Sequence, residues 1–106
     1  MIRLEIIGYL GTDAIVNEVN GKTVINFSVA HTDKWTNANG EQKERTMWVN
    51  CEFWVKSVGI ASYLKKGTQV YVTGRPEVKI YQPASGETLA QQRLVVSEVK
   101  LLGVKN

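Results

Sequence analysis

Apolar and polar residues alternate with a period of two along most of this chain of 106 residues. Successive side chains of a β-strand point to opposite faces, so the alternation predicts strands that are buried on one side and exposed on the other. The alternating stretches run from Ile2 to the Gly8–Gly11 break and then over residues 23–31, 45–55, 69–81 and 92–102. The sequence therefore predicts five strands and an all-β fold.

Turn and edge signals divide these strands. The pair Asn20-Gly21 precedes the second strand and is typical of a tight turn. The polar stretch Thr36–Glu41 predicts the exposed tip of a hairpin. Pro76 interrupts the fourth strand, so we expect it at a sheet edge or a bulge, where no ladder hydrogen bond is lost.

A single window, Ser57–Lys66, has the spacing of a helix. Ser57 suits the N-cap, and Gly67 suits the left-handed residue that ends a helix. Ile60, Ala61 and Leu64 fall on one stripe of this window. A helix of about ten residues is marginal alone, so we expect it to pack against the strands.

Five strands and one short helix cannot bury both faces of a flat sheet in a chain of this length, whereas a closed sheet encloses a single interior. A helix between the third and fourth strands of a five-stranded Greek-key barrel is the arrangement of the OB-fold. We therefore predict one OB-fold domain over residues 1–106. An SH3-like barrel and a small sandwich are the alternatives, but neither needs a helix at that place.

The chain has one cysteine, Cys51, and one histidine, His31, which excludes an internal disulfide and a four-ligand Cys/His zinc site. Cys51 shares a face with Val49 and Phe53, so we interpret it as a buried structural thiol rather than a nucleophile. No apolar run approaches the ~20 residues that span a bilayer. We predict no enzymatic activity, no cofactor or metal, and no membrane partner.

Basic residues are concentrated in the middle of the chain. The formal net charge is only +3, but residues 43–80 carry seven basic and three acidic side chains. This third of the chain is the candidate anion-facing region, and an ordinary solvated face is the alternative.

The third strand has one apolar and one mixed face. Met47, Val49, Cys51, Phe53 and Val55 share the apolar face, which predicts a core stripe. The opposite face carries Trp48, Asn50, Glu52 and Trp54. An indole on the outside of a barrel costs free energy unless a partner covers it, and either another protein chain or unpaired bases could do so.

Unpaired bases stack on aromatic planes without regard to base identity. Trp35 stands at the start of the polar hairpin, and Tyr81 stands at the end of the fourth strand beside a second loop. Basic residues interleave with these aromatics at positions suited to phosphates, namely Lys34, Lys43, Arg45, Lys56 and Lys79. The combination favours single-stranded nucleic acid as the partner, with a subunit interface as the alternative.

Several segments resemble the bacterial single-stranded DNA-binding protein family, and the likeness extends over essentially the whole chain. They are Gly8–Asp13, Val24–Ala30, Trp35 with Arg45–Trp48, and Tyr63–Gly74. The resemblance implies an OB-fold that binds and protects single-stranded DNA, independently of sequence, in replication, recombination and repair. It also implies a homotetramer and a cytoplasmic, nucleoid-associated location.

The resemblance also assigns site residues. Stacking falls on Trp35, Trp48, Trp54 and Tyr81, and phosphate contacts fall on Arg3, Lys56, Lys66 and Lys79. Trp54 replaces a usual phenylalanine, Tyr81 a usual tryptophan, Val49 a histidine and Glu77 a basic residue. Family members usually continue into a flexible linker and an acidic tip that recruits enzymes. This chain ends at Asn106, so either it is a natural short form or the sequence is a piece of a longer protein. If the short form is natural, we expect tail-mediated recruitment to be absent.

Three other functions stay open. A replication-restart (primosomal) accessory protein is a dimeric OB-fold that acts partly through protein partners, but the Trp35/Trp48 pair favours the DNA-coating protein. A protein-interaction module would use the aromatic face as an interface. An OB-fold enzyme or tRNA-handling domain has no catalytic residues in this sequence to support it.

Overall fold

Six strands form in the part of the chain that the computed structural model describes, which is residues 1–81, 84, 86 and 89–103. The strands are β1 (Leu4–Leu10), β2 (Ile15–Val19), β3 (Lys22–Thr36), β4 (Gln42–Val55), β5 (Gln69–Tyr81) and β6 (Leu89–Leu102). A 3₁₀ helix at Gly59–Tyr63 lies between β4 and β5. The predicted all-β class is confirmed.

Five of the strands close into a ring. The sheet order is β1-β5-β6-β4-β3-β2, and β1 pairs in addition with β3, which closes the ring and leaves β2 outside it. The β4–β6 pairing is parallel and the other pairings are antiparallel. This is the five-stranded barrel predicted from the sequence, with a helix at the predicted place.

Strand β2 is not among the strands predicted from the sequence. Within the described residues β2 pairs with β3 alone, and all five of its residues are exposed. Because neither face of β2 is buried, the strand has no apolar–polar alternation to reveal it. The predicted tight turn is present between β2 and β3: Asn20 and Gly21 have φ values of 52° and 78°, as a two-residue hairpin of the primed type requires.

The core fills the barrel interior. Ile25, Phe27 and Val29 of β3 and Val49 and Cys51 of β4 are buried, as their period of two predicts. The remaining members of this cluster come from the other strands and from the segment after the 3₁₀ helix: Leu10, Leu64, Val70, Val72, Leu94 and Val96.

Two residues predicted on the core side are exposed instead. Ile2 precedes the first β1–β5 pair, Leu4↔Gly74, and so lies outside the sheet. Met47 pairs with His31, one step beyond the last described contact of β3 with β1, Tyr9↔Ala30. Beyond this point β3 and β4 are no longer part of the barrel. A residue there can have the same alternation as the core residues and still be exposed.

The helix is shorter and tighter than predicted. An α-helix over Ser57–Lys66 was expected, but only Gly59–Tyr63 is helical, and no side chain caps its start. The N–H groups that would continue the helix donate elsewhere: that of Lys66 donates to Asp13 Oδ1 at 2.8 Å, and that of Gly67 donates to the Leu10 carbonyl at 2.9 Å. These bonds hold the segment across one end of the barrel, where Leu64 is fully buried.

Strands β3 and β4 continue past the barrel as a long hairpin. Their register is regular from Thr23↔Val55 to Thr36↔Gln42, and residues 31–47 form what we call the hairpin arm. The predicted tip is confirmed, because Asn37 Oδ1 accepts the N–H groups of Asn39 and Glu41 and closes the turn. The radius of gyration is 16.0 Å, against about 13 Å for a compact domain of 100 residues, because such projections extend the molecule.

Strand β5 carries an irregularity between Thr73 and Gly74, where its register with β6 shifts. Pro76 lies just beyond the end of the β1–β5 ladder, so its missing N–H removes no hydrogen bond to β1, as expected for an edge position. A Cβ at Gly74 would collide with the Val95 carbonyl oxygen and lie 2.8 Å from the Val96 Cα.

Gly74→Ala is therefore expected to lower the free energy of unfolding by about 1–3 kcal/mol, since the opposing backbone must move. The matched control is Gly59→Ala, where the nearest atom to the added Cβ is Ser57 Oγ at 3.8 Å. Urea unfolding followed by circular dichroism measures both variants. Equal stability of the two would show that the barrel tolerates a side chain at the shift.

Candidate nucleic-acid interface

Two indoles lie on the outside of the barrel. Trp48 is 61% exposed and Trp54 is 41% exposed, while the alternate residues Val49 and Cys51 are buried. Val24 pairs directly with Trp54 and so shares its outer face, where Val24 is buried beside the indole. Both tryptophans thus have the outward placement that the alternation of β4 predicts.

Strand register aligns polar residues between the two indoles. Across β3, β4, β6 and β5 one row reads Ser28, Asn50, Arg93, Glu77, and the next reads Asn26, Glu52, Val95, Arg75. Paired residues share a face of the sheet, so both rows lie on the outer face with Trp48 and Trp54. We call Ser28, Asn50, Glu52 and Arg93 the polar strip.

Hydrogen bonds fix the polar strip in place. Ser28 Oγ donates to Asn50 Oδ1 at 3.0 Å. The Arg93 guanidinium donates to the Glu52 carboxylate, and these side chains are 29% and 17% exposed. A second pair on the same face, Arg75–Glu77 at 3.0 Å, is far more exposed.

Gly11 shapes the seat of Trp48. A Cβ at Gly11 would collide with the indole at Cζ3 and lie 2.7 Å from Cη2. The Gly11 N–H donates to the Ser28 carbonyl at 3.1 Å, which ties this backbone to β3. The absence of a side chain at Gly11 therefore lets the ring lie against the backbone.

Trp35 belongs to a different surface. It is 48% exposed, but it pairs with Lys43 and has the opposite parity to Trp48 and Trp54 in the regular β3–β4 ladder. It lies on the hairpin arm, in a shallow depression that it shares with Lys34, Lys43 and Glu44. The structure thus gathers Trp48 and Trp54 on one face and separates Trp35 from them.

Lys56 lies next to Trp54. An open depression beside Trp54 is lined by Gly21, Lys22, Thr23, Val55 and Lys56. Lys22 reaches this place because the register sets Thr23 opposite Val55. Two cationic side chains therefore flank one of the exposed indoles.

The other predicted phosphate contacts are dispersed. Arg3 donates to Thr73 Oγ1 at 2.9 Å and lies 3.6 Å from Glu5, while Tyr71 first and then Glu5 raise its pKa. Arg45 lies opposite Asp33 in the β3–β4 register of the hairpin arm. Lys66 lines a depression with Tyr9 and Tyr63. The backbones of Lys79 and Tyr81 lie in β5, but their side chains lie outside the described part of the structure.

His31 ties the hairpin arm to β1. Its Nδ1 lies 2.9 Å from the Ile7 carbonyl oxygen and its Nε2 lies 2.7 Å from Asp33 Oδ1. Both partners only accept, so the protonated ring donates from both nitrogens. The Ile7 carbonyl first, and then Asp33, raises the pKa of His31.

The side chains that resemble reactive groups are structural. Burial raises the pKa of the Cys51 thiol to about 12, as expected for the inert thiol that the sequence predicts. Among the described residues no group of three His, Cys, Asp or Glu side chains is arranged to hold a metal ion. The described helix is too short and too polar to cross a membrane.

Sequence reasoning missed two cations at this interface. Arg93 reaches the polar strip through the parallel β4–β6 pairing, and Lys22 reaches Trp54 through the hairpin register. The tight turn at Asn20-Gly21 was a usable signal for Lys22. No local sequence pattern predicts a parallel pairing between strands about forty residues apart. The position of Arg93 on this face therefore could not be predicted from the sequence.

Comparison with known proteins identifies relatives over nearly the whole chain. The model of the single-strand binding protein family matches residues 1–102. The single-stranded DNA-binding protein of Neisseria meningitidis serogroup A is 42% identical over 103 residues, 95% of this chain and 59% of that protein. Single-stranded DNA-binding protein 1 of Chlorobaculum tepidum is 33% identical over 107 residues, 98% of this chain and 66% of that protein. The chain thus spans about three-fifths to two-thirds of these relatives.

Solved structures share the fold. A Plasmodium falciparum SSB in complex with ssDNA superposes with a TM-score of 0.86 at 24% identity, covering 96% of this chain and 95% of that one. A small single-stranded DNA-binding protein from Streptomyces coelicolor gives a TM-score of 0.77 at 15% identity, covering 94% and 93%. At these identities the likeness supports the barrel topology alone.

Gly11→Ala is expected to displace the Trp48 indole from its position against the Gly11 backbone, because the added Cβ would collide with the ring. The measurement uses the Trp35→Phe/Trp54→Phe background, so that Trp48 is the sole indole and its emission moves to longer wavelength as the ring enters water. Gly59→Ala in the same background is the control, because the nearest atom to its added Cβ is Ser57 Oγ, at an ordinary contact distance of 3.8 Å. An unshifted emission maximum with Gly11→Ala would show that the ring does not depend on this glycine.

Proposed function

The chain belongs to the single-strand binding protein family, and from this premise we propose that it binds single-stranded DNA without regard to sequence. Bases stack on Trp35, Trp48, Trp54 and Tyr81, and surrounding basic residues neutralise phosphates. The observation that carries the proposal is the pair of exposed indoles, Trp48 and Trp54, on a sheet face whose alternate residues form the core. The name of the Neisseria relative and the ssDNA bound to the Plasmodium structure support the same ligand.

The chemistry of this face suits unpaired bases rather than a duplex. Each base offers a π-face to an indole once it is unstacked, and stacking is worth ~1–3 kcal/mol per base. Sequence readout of a duplex uses a helix or a β-ribbon in the major groove. The helix in the described part of the chain has five residues and rests across the barrel end. Trp48 and Trp54 stand on the barrel wall rather than on the projecting hairpin arm, so neither the helix nor a ribbon presents this face to a groove.

Phosphates bind at separate places along the surface, each beside one of the stacking tryptophans. Lys56 and Lys22 flank Trp54, and Lys34 and Lys43 flank Trp35. A single strand that visits both tryptophans runs from the barrel face onto the hairpin arm. Binding is therefore salt-dependent, with a contribution from each phosphate contact.

A homotetramer is the assembly that we propose. One OB barrel holds ~4–16 nucleotides, so a longer bound strand needs several copies. The exposed apolar side chains of Ile7 and Tyr9 lie on β1, whose described pairing with β3 covers Tyr9 and Leu10 alone. This stretch of β1 edge, which no strand pairs among the described residues and which His31 contacts at the Ile7 carbonyl, suits contact with a second copy through its apolar side chains. Coating and protection of strands during replication, recombination and repair is the corresponding biological role.

Trp48→Ala and Trp54→Ala are each expected to weaken binding to a dT oligonucleotide by ~1–3 kcal/mol, because each removes one stacking plane. The fold should persist, since both indoles lie outside the core. Trp48→Phe and Trp54→Phe are the matched controls, because they retain an aromatic plane and are expected to lose less. Fluorescence polarisation of labelled dT measures affinity, and unchanged affinity in both alanine variants would contradict stacking on this face.

Lys56→Ala is expected to reduce the slope of log affinity against log salt by about 0.7, the value for one phosphate contact on a single strand. The control is Lys100→Ala, which removes an equal charge from the β5–β6 side, where Lys100 lies 5.9 Å from the Tyr71 ring centre. The same dT titration at several salt concentrations measures both slopes. If Lys56→Ala and Lys100→Ala behave alike, Lys56 makes no local phosphate contact.

A further inference from the structure

An ion pair occupies the gap between the two stacking planes. Trp48 and Trp54 are six residues apart on β4, which corresponds to ~20 Å along an extended strand. The Arg93–Glu52 pair lies in this gap, and its side chains are 29% and 17% exposed. The direct path for a nucleic-acid strand between the two indoles follows β4 and crosses this gap.

The pair is held from several sides. Glu52 lies on β4 next to Asn26 of β3, and Arg93 enters from β6 opposite Asn50. Asn50 is itself fixed by the hydrogen bond from Ser28. The Arg93 guanidinium is therefore aimed at one place on the outer face, whereas the more exposed Arg75–Glu77 pair is solvated.

A carboxylate and a phosphate make the same kind of contact with a guanidinium. Both accept two parallel N–H bonds from its planar fork, so one can replace the other without loss of hydrogen bonds. A phosphate that approached without displacing Glu52 would meet a negative charge beside its cation. Glu52 is partly exposed, so its carboxylate can be hydrated again once it is released.

We propose that Arg93 is a phosphate-binding residue of this interface and that Glu52 is its positioning residue, which yields the guanidinium to a DNA phosphate when a strand binds. This inference rests on the proposed function. It adds a cation between the stacking planes, where the sequence predicted none. It also means that Glu52 competes with a DNA phosphate for Arg93. Glu52 therefore lowers the affinity for DNA while it keeps the Arg93 guanidinium correctly oriented.

The first test is Glu52→Gln, which is expected to bind a dT oligonucleotide about two- to fivefold more tightly. That range corresponds to the contribution of a partly exposed ion pair that no longer has to be broken. Glu18→Gln is the matched control: it removes the same charge from β2, where Glu18 is exposed and forms no ion pair with any described residue. An equal gain in both variants would overturn the proposal, because it would reflect net charge alone.

The second test is a double-mutant cycle. Arg93→Gln is expected to weaken binding and to lower the salt slope by about 0.7, equally for dT and dC oligonucleotides. The double variant Glu52→Gln/Arg93→Gln should lose the same slope relative to Glu52→Gln, and because it leaves no unpaired charge on the strip, it reports on binding even if Arg93→Gln is unstable. Arg93→Lys should keep the slope of the unaltered protein.

The outcomes separate this inference from the proposed function. If the unaltered chain does not bind dT, the proposed function fails and the inference fails with it. If the unaltered chain binds but Glu52→Gln binds no more tightly than the unaltered chain, the inference alone is wrong. A base-dependent loss with an unchanged salt slope would also overturn it, because Arg93 would then contact bases rather than phosphates.

Discussion

Closure of the sheet fixes which side chains of β4 face outward. Because β4 is paired to β3 on one side and to β6 on the other, its odd residues Val49 and Cys51 lie inside the ring and its even residues lie outside. A slip of one residue would expose this core stripe and bury two indoles. The free energy that buries the core therefore also holds the two indole planes toward solvent, and no separate interaction is needed to present them.

The two aromatic surfaces differ in how firmly they are held. Trp48 and Trp54 stand on the barrel wall, directly backed by buried residues. Trp35 stands on the hairpin arm, beyond the point where β3 leaves β1, and the described link there is the bridge from His31 to the Ile7 carbonyl. A barrel face that is fixed and an arm that is less supported suit a flexible strand, because the first provides a defined binding surface and the second can follow the bound chain.

Sequence periodicity was sufficient for the fold class, the core stripe of β4 and the outward indoles, because each depends on side-chain alternation within one strand. Periodicity did not predict the structure correctly where tertiary contacts, rather than the local sequence pattern, determine the conformation. The segment after Ser57 gives its N–H groups to Asp13 and Leu10 instead of completing an α-helix. Strand β2 has no buried face to produce a pattern. Arg93 joins the interface through a parallel pairing that no local signal encodes.

The electrostatics of the outer face bear on the choice between single strands and duplexes. The chain has a net charge of only +3, and the arginines of this face, Arg75 and Arg93, are each paired with a glutamate. A duplex hides the π-faces of its bases, so its attraction to a protein rests largely on phosphates. A face whose arginines are neutralised in advance offers a duplex less free energy than one whose arginines are free. An unpaired strand gains stacking on the indoles as well, and that added gain can offset the cost of displacing Glu52 from Arg93. On the proposed function, internal neutralisation therefore raises the preference for single strands by weakening the one interaction that both ligands share.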